Sequence, residues 1–184
     1  MFIQTEDTPN PLTIKFLPGK KVMETGTADF TNNELAVNSP LASRLFEVDG
    51  VDGVFLGSDF ISVTKKKEEE WFSLKPSILG KIMEHYASGD DVLKLDQNEK
   101  SVPDLEDSDT VQQIKQLLET RVRPAVAMDG GDIQFESFED GIVTLLMKGA
   151  CSGCPSSTAT LKMGIENMLR HYIPEVQEVR ASGM

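Results

Sequence analysis

Ile142-Val143-Thr144-Leu145-Leu146-Met147-Lys148-Gly149-Ala150-Cys151-Ser152-Gly153-Cys154-Pro155-Ser156-Ser157 passes from an apolar run, through a Cys-x-x-Cys, into the start of an amphipathic pattern. The apolar run Ile142 to Met147 has the length and character of a largely buried strand. Beyond the cysteines, Leu161, Ile165, Met168, Leu169 and Tyr172 recur at helical spacing. Cys154 falls where an N-cap would be, and Pro155 suits the first turn of a helix. Upstream, Glu139-Asp140-Gly141 reads as a turn. Before it, Ile133 and Phe135 alternate with Gln134 and Glu136, as in a half-buried strand, and Asp129-Gly130-Gly131-Asp132 is a second turn. Asp109, with Gln112 three residues on, resembles a capping box. Val111, Ile114, Leu118 and Val122 then share one face, and Pro124 weakens or ends that helix. Glu175 to Ala181 reads as a last strand. The order is α-β-β-α-β, with the cysteine pair at the strand-to-helix junction.

The other end of the chain also mixes helix and strand. Thr13 to Leu17 alternates before Pro18-Gly19. Ser39-Pro40 announces a helix carrying Leu41, Leu45 and Val48 on one face. Val51 to Leu56 and Phe60 to Thr64 flank Gly57-Ser58-Asp59, a hairpin pattern. Ile78, Ile82 and Tyr86 mark a second helix, with Gly89 past its end. The locally neutral Lys65-Lys66-Lys67-Glu68-Glu69-Glu70 reads as a solvated hairpin end rather than a basic binding patch.

Charge divides the 184 residues. The chain carries a formal net charge of −12, and residues 90–109, with eight acids and two lysines, carry half of it. This stretch lacks aromatic residues and cannot bury enough apolar surface to offset the entropy of ordering it. The expected organisation is therefore two small α+β domains, residues 1–89 and 110–184, joined by a flexible acidic linker over 90–109. Such an acidic chain lacks the clustered Lys and Arg that nucleic acid or an anionic membrane surface requires. No apolar run approaches the roughly 20 residues that span a bilayer. The start, Met1-Phe2-Ile3-Gln4-Thr5-Glu6-Asp7, carries neither a basic n-region nor a transit pattern. A bacterial cytoplasmic protein, or an organellar one whose presequence has been removed, is the expectation.

Cys151 and Cys154 are the chain's two cysteines. A tetrahedral zinc site or a cubane iron–sulfur cluster wants four ligands, mostly thiolates. Two thiols therefore make a dithiol redox pair, a site completed by other residue types, or half of a site completed by a second chain. A helix N-terminus after Gly149 and Gly153 offers backbone N–H groups and a positive dipole end. That environment lowers a thiol pKa and suits an anionic cluster nearly as well as a reactive thiolate. Four readings stand on spacing alone: a thiol–disulfide oxidoreductase, zinc held with histidines, a cluster shared between chains, and a buried pair without chemistry. His85 and His171 are the only histidines. They read as surface or partly buried helix residues rather than proton carriers. Met147, Met163 and Met168 read as packing residues, and Lys148 and Lys162 as solvated lysines. No P-loop pattern is present.

The surrounding residues are more specific than the spacing. Asp129-Gly130-Gly131-Asp132-Ile133, Gly149-Ala150-Cys151-Ser152-Gly153-Cys154-Pro155-Ser156-Ser157 and Thr160-Leu161-Lys162-Met163-Gly164-Ile165-Glu166 closely resemble the C-terminal domain of NifU, the Nfu family. Phe2-Ile3-Gln4, Thr8-Pro9-Asn10-Pro11, Lys15-Phe16-Leu17-Pro18-Gly19, Ser39-Pro40-Leu41-Ala42 and Gly57-Ser58-Asp59-Phe60-Ile61 resemble the N-terminal domain of Nfu proteins. The resemblance implies a non-enzymatic iron–sulfur cluster scaffold or carrier. It implies a [4Fe–4S] cluster, with [2Fe–2S] the alternative, bridging two subunits through Cys151 and Cys154 of each. Its partners would be client apoproteins and upstream assembly factors, with a homodimer when loaded. A eukaryotic member would work in the mitochondrial matrix. The family lacks the thioredoxin fold, and the Trp-Cys-Gly-Pro-Cys pattern of thioredoxins is absent here.

Overall fold

A computed structural model describes residues 1–94, 107–152 and 155–182. The chain divides into two compact units, Met1–Lys100 and Ser101–Met184.

The N-terminal unit is an antiparallel sheet of five strands and two main helices. The strands are β1 (Gln4–Asp7), β2 (Thr13–Leu17), β3 (Ala28–Phe30), β4 (Val51–Leu56) and β5 (Ile61–Lys65), and the helices are α1 (Pro40–Phe46) and α2 (Trp71–Ser88). The strand order is β1-β2-β5-β4-β3. Ser39 caps α1 as expected: its hydroxyl accepts the Ala42 N–H at 3.1 Å. The hairpin between β4 and β5 closes through Gly57 N–H donating to the Phe60 carbonyl at 2.9 Å. Gly89, with φ of 73°, ends α2 in the left-handed region. Phe16, Leu41, Leu45, Leu56, Ile61, Val63, Ile78 and Ile82 are buried together. Each such side chain contributes about 1.5–3 kcal/mol.

Three expectations for this unit change. The Lys65–Glu70 run is the connection from β5 to α2, not a hairpin end, and Lys65 is itself buried. Residues 90–94, assigned above to the linker, are fastened down. Asp90 pairs with Arg44 at 2.5 Å, Ser39 Oγ donates to the Val92 carbonyl at 2.6 Å, and Lys94 N–H donates to the Asn38 carbonyl at 2.7 Å. Residues 95–106 of the expected linker lie outside the described residues. Finally, His85 is fully buried, and neither ring nitrogen has a hydrogen-bond partner among the described residues.

That burial has a pH consequence. Desolvation, and then the nearby Arg44 cation, hold the His85 imidazole below its ordinary value of 6.5, against a smaller opposing pull from Asp90 and Asp91. As pH falls through about 6.5 the unfolded chain takes up a proton that the folded chain refuses. The stability is therefore present above that pH and lost below it. Trp71, the sole tryptophan, lies in this unit, so its fluorescence follows this unit's melting. We expect a transition several degrees lower at pH 5.5 than at pH 7.5, and His85→Phe to remove most of the difference. An unchanged pH dependence in the variant would assign the effect to other groups.

The C-terminal unit has the α-β-β-α-β order. Its first helix runs as α3 (Asp109–Leu117), a π-helical turn (Leu118–Val122) and α4 (Arg123–Met128). The sheet is β6 (Gly131–Glu139), β7 (Ile142–Gly149) and β8 (Glu178–Ser182), and α5 (Pro155–Tyr172) crosses from β7 to β8. β6 and β7 are antiparallel, while β7 and β8 are parallel. The cap of α3 is Ser108, whose hydroxyl accepts the Val111 N–H, one residue before the position read from sequence. Pro124 does not end the helix. The turn just before it is widened by one residue, with Arg123 N–H donating to the Leu118 carbonyl. A four-residue repeat drifts around an ordinary helix, and the extra residue keeps Ile114, Leu118, Val122 and Val126 all buried. The β6–β7 turn places Asp140 at φ 51° and Gly141 at φ 78°, the signature of a type I′ hairpin. Along β7, Val143, Leu145 and Met147 are buried and pack with Ile165, Leu169 and Val179. Tyr172 is exposed rather than core, with Arg121 lying 5.2 Å over its ring.

Candidate metal centre

β7 delivers the chain to the cysteine motif, and a sharp bend follows. Gly149, at φ 63°, ends the strand in a conformation that favours glycine. Ser152 closes the bend twice on the Gly149 carbonyl, its N–H donating at 3.1 Å and its hydroxyl at 2.9 Å. From the first turns of α5, the Thr158 hydroxyl donates to the Cys151 carbonyl at 3.1 Å. On the other side, Ala150 N–H donates to the Gly130 carbonyl at 3.2 Å. Gly130, at φ 80°, turns the chain from α4 into β6. The bend bearing Cys151 is thus tied to both flanking elements.

Cys151 is 6% exposed, and its sulfur sits directly on Gly131. A Cβ on Gly131 would lie 2.5 Å from that sulfur, 2.8 Å from the Lys148 carbonyl oxygen and 3.0 Å from Cys151 N. Glycine therefore makes the cradle possible. Burial, followed by the negative charges of Asp129 and Asp132, pushes the Cys151 thiol up to about 12. The lowered thiol pKa expected at the helix start falls on Cys154, which lies outside the described residues. The sulfur packs in the apolar core, within reach of the charges of Asp129 and Asp132. α5 does begin at Pro155, the residue after Cys154. Gly153 and Cys154 themselves lie outside the described residues.

Asp132, marked in sequence only as part of its turn motif, is a buried polar residue at the site. It is 3% exposed, and its carboxylate receives Arg123 at two points, Nε at 2.8 Å and a terminal nitrogen at 3.0 Å. Asp132 also accepts the Ile133 N–H at 2.8 Å. The second terminal nitrogen of Arg123 donates to Glu119 at 2.6 Å. These bonds raise the Arg123 pKa further above its already high value. Breaking one partner of a buried pair costs about 3–5 kcal/mol. The sequence marked Asp132 within its turn motif but gave no sign of its pairing with Arg123, nine residues earlier.

The remaining candidates separate from the site. His171 stands 16 residues into α5 from Pro155, about 24 Å along the helix axis at 1.5 Å per residue. It cannot share a zinc ion with Cys151. His85 belongs to the core of the N-terminal unit. Among the described residues no three His, Cys, Asp or Glu side chains gather as a metal site. Met147 is buried and Met168 packs on the core, as read, but Met163 is exposed. Lys162 acts on Glu178, helping to lower that carboxyl's pKa behind the larger effect of Arg180.

Residues 3–89 match the family model described as the scaffold protein Nfu/NifU N-terminal domain, and residues 114–180 match the NifU-like domain. Over 180 residues the chain is 52% identical to the human protein named NFU1 iron-sulfur cluster scaffold homolog, mitochondrial, covering 97% of this chain and 71% of the relative. The chain belongs to the Nfu/NifU scaffold family. It is also 54% identical over 185 residues to NifU-like protein 4, mitochondrial, of Arabidopsis thaliana, covering 97% of this chain. The chain spans 65% of that relative's length. A solution structure of a NifU-like protein from Saccharomyces cerevisiae aligns with a TM-score of 0.46 at 27% identity, over 54% of this chain and 87% of that one. Within the Nfu/NifU frame, Cys151 and Cys154 both fall inside the matched NifU-like segment, between the second and third strands of its unit.

Proposed function

We propose that this chain is an iron–sulfur cluster scaffold and carrier that holds its cargo through Cys151 and Cys154. The observation that carries the reading is the coincidence of family and thiols. The chain's two cysteines lie together in the matched NifU-like domain, and the one described is seated on a glycine that leaves room for nothing larger than hydrogen.

Ligand number then sets the assembly. A cubane takes four thiolates, and each chain supplies two, so two copies close on one [4Fe–4S] cluster. Cluster binding drives association by mass action, and the metal-free chain is largely monomeric. The raised Cys151 pKa fits storage better than redox turnover. A thiol–disulfide oxidoreductase needs a poised thiolate, whereas burial pushes the Cys151 thiol up. Iron displaces the thiol proton on loading, supplying the free energy that burial withholds. Release proceeds by exchange, as incoming thiolates from a client apoprotein replace Cys151 and Cys154 in turn. The N-terminal domain, residues 1–89, docks clients or upstream assembly factors, and the acidic connection between Lys94 and Asp107 joins it to the carrier domain at high effective concentration.

Work in the mitochondrial matrix is the reading that relatives named mitochondrial support, with the bacterial cytoplasm as the alternative. No described helix is long and apolar enough to cross a membrane. The test is anaerobic reconstitution with iron and sulfide, read by absorption and native mass spectrometry. A brown species of two chains, four irons and four sulfides is expected. Two irons and two sulfides per dimer would change the cluster type to [2Fe–2S]. A colourless monomer, or one that takes only zinc, would overturn the carrier reading.

A further inference from the structure

The cluster site has a brace outside its ligands. Asp132 is one residue from Gly131, the floor of the Cys151 cradle, and pairs with Lys148 across the β6–β7 ladder. Gly130, one residue further back, accepts the Ala150 N–H. The segment 130–132 therefore meets the cysteine bend at Gly130 and Gly131 and the end of β7 at Asp132. It leaves α4 through a glycine at positive φ, and such a chain has little stiffness of its own. What fixes it from the helix side is Arg123. The guanidinium grips both oxygens of Asp132, at 2.8 and 3.0 Å, while Glu119 holds its remaining nitrogen at 2.6 Å. Arg123 in turn closes the widened helical turn with its own N–H. A flat fork engaged at two points resists rotation as well as separation, which a single point charge does not. The Arg123 charge also offsets a carboxylate that would otherwise face an anionic cluster unbalanced.

We infer that Arg123 is a positioning residue for the cluster site: through Asp132 it holds the 130–132 edge on which Cys151 is seated, and so sets how long the loaded protein keeps its cargo. This rests on the carrier reading above. Arg123 acts on the Cys151 seat through Asp132 and Gly131.

The experiment uses the full chain with Arg123→Lys, Arg123→Ala and Asp132→Asn. Each is loaded anaerobically, and iron loss to a chelator is timed. Hydrogen exchange is measured on the metal-free forms. Outer-sphere partners of metal ligands typically govern affinity by one to two decades, so Arg123→Ala and Asp132→Asn should lose iron roughly tenfold faster than wild type. Arg123→Lys should fall between, since a lysine keeps the charge without the fork. Visible circular dichroism of the loaded variants should change, because the chirality of the ligand set has changed. In the metal-free chain the Ala150 amide should exchange faster, while Val143 and Leu145 in the strand core keep their protection.

Wild-type iron retention with wild-type Ala150 protection in Arg123→Ala and Asp132→Asn would overturn the inference. Loss of protection at Val143 and Leu145 in step with Ala150 would overturn it too, because the pair would then serve the whole fold. Should Arg123→Ala fail to fold, Arg123→Lys and Asp132→Asn decide on the same readouts. If wild type itself takes up no cluster, the carrier reading fails, and the Ala150 exchange still judges the brace.

Discussion

Cys151→Ala and Cys154→Ala are each expected to leave a folded, colourless monomer where wild type gives a brown dimer. The effect is large because the loss is counted twice. In a symmetric dimer one substitution removes two of four thiolates, and the remaining pair cannot complete a site that wants four. The cost to the fold is small by comparison. Alanine at 151 deletes one buried sulfur beside Gly131, a packing loss on the order of 1 kcal/mol or less. The backbone bonds of the bend are made by Ala150 N–H, Ser152 and Thr158, none of which uses the thiol. Iron per chain and native mass after reconstitution check the expectation, with far-ultraviolet circular dichroism as the control for folding. A Cys151→Ala dimer that carries wild-type iron would mean that the cluster is held by other groups. Mixing wild type with Cys154→Ala adds a graded case, since a mixed dimer offers three thiolates and should load weakly.

The sequence exposed this site in part. Features written in a few adjacent residues were legible. The Asp140-Gly141 hairpin demanded two residues at positive φ and has them, and Ser39-Pro40 begins a helix as its chemistry requires. The strand–CxxC–helix junction showed because the period changes from two to 3.6 across it. What stayed hidden was non-local or unpatterned. β1 is exposed along its whole length, so no alternation marks it, and β3 is only three residues long. The widened turn before Pro124 left only its four-residue apolar repeat as a trace, and that was read as an ordinary helix. The direction in which Cys151 points depends on Gly131, twenty residues earlier in the chain. The sequence marked both positions as notable without relating them. The charge-based linker boundary failed by a few residues at each end for a similar reason. Asp90 is acidic like its neighbours, yet Arg44, far upstream in sequence, holds it in the fold.

Gly131→Ala should weaken the site markedly, although it leaves both cysteines in place. The added Cβ would meet the Cys151 sulfur at 2.5 Å, the Lys148 carbonyl oxygen at 2.8 Å and Cys151 N at 3.0 Å. A flexible side chain could swing away, but two of these three atoms are backbone. Relief therefore requires β6 to part from β7 where Gly131 faces Gly149, or the cysteine bend to lift off its floor. Overpacking of this kind costs about 1–3 kcal/mol, and the strain falls on the bend because Gly131 is the first residue of its strand. We expect a melting temperature lowered by several degrees, a loaded cluster lost at least roughly tenfold faster to chelator, and an alkylation-accessible Cys151 in the metal-free chain. Gly164→Ala is the internal comparison. Gly164 lies within α5, with nothing inside 4 Å of the position its Cβ would take. There the same methyl group replaces a poor helix former with the best one and should stabilise by about 0.5–1 kcal/mol. A Gly131→Ala protein that melts, loads and retains iron like wild type would show that Cys151 need not rest where this fold puts it when the site is filled. The cradle would then belong to the empty protein alone.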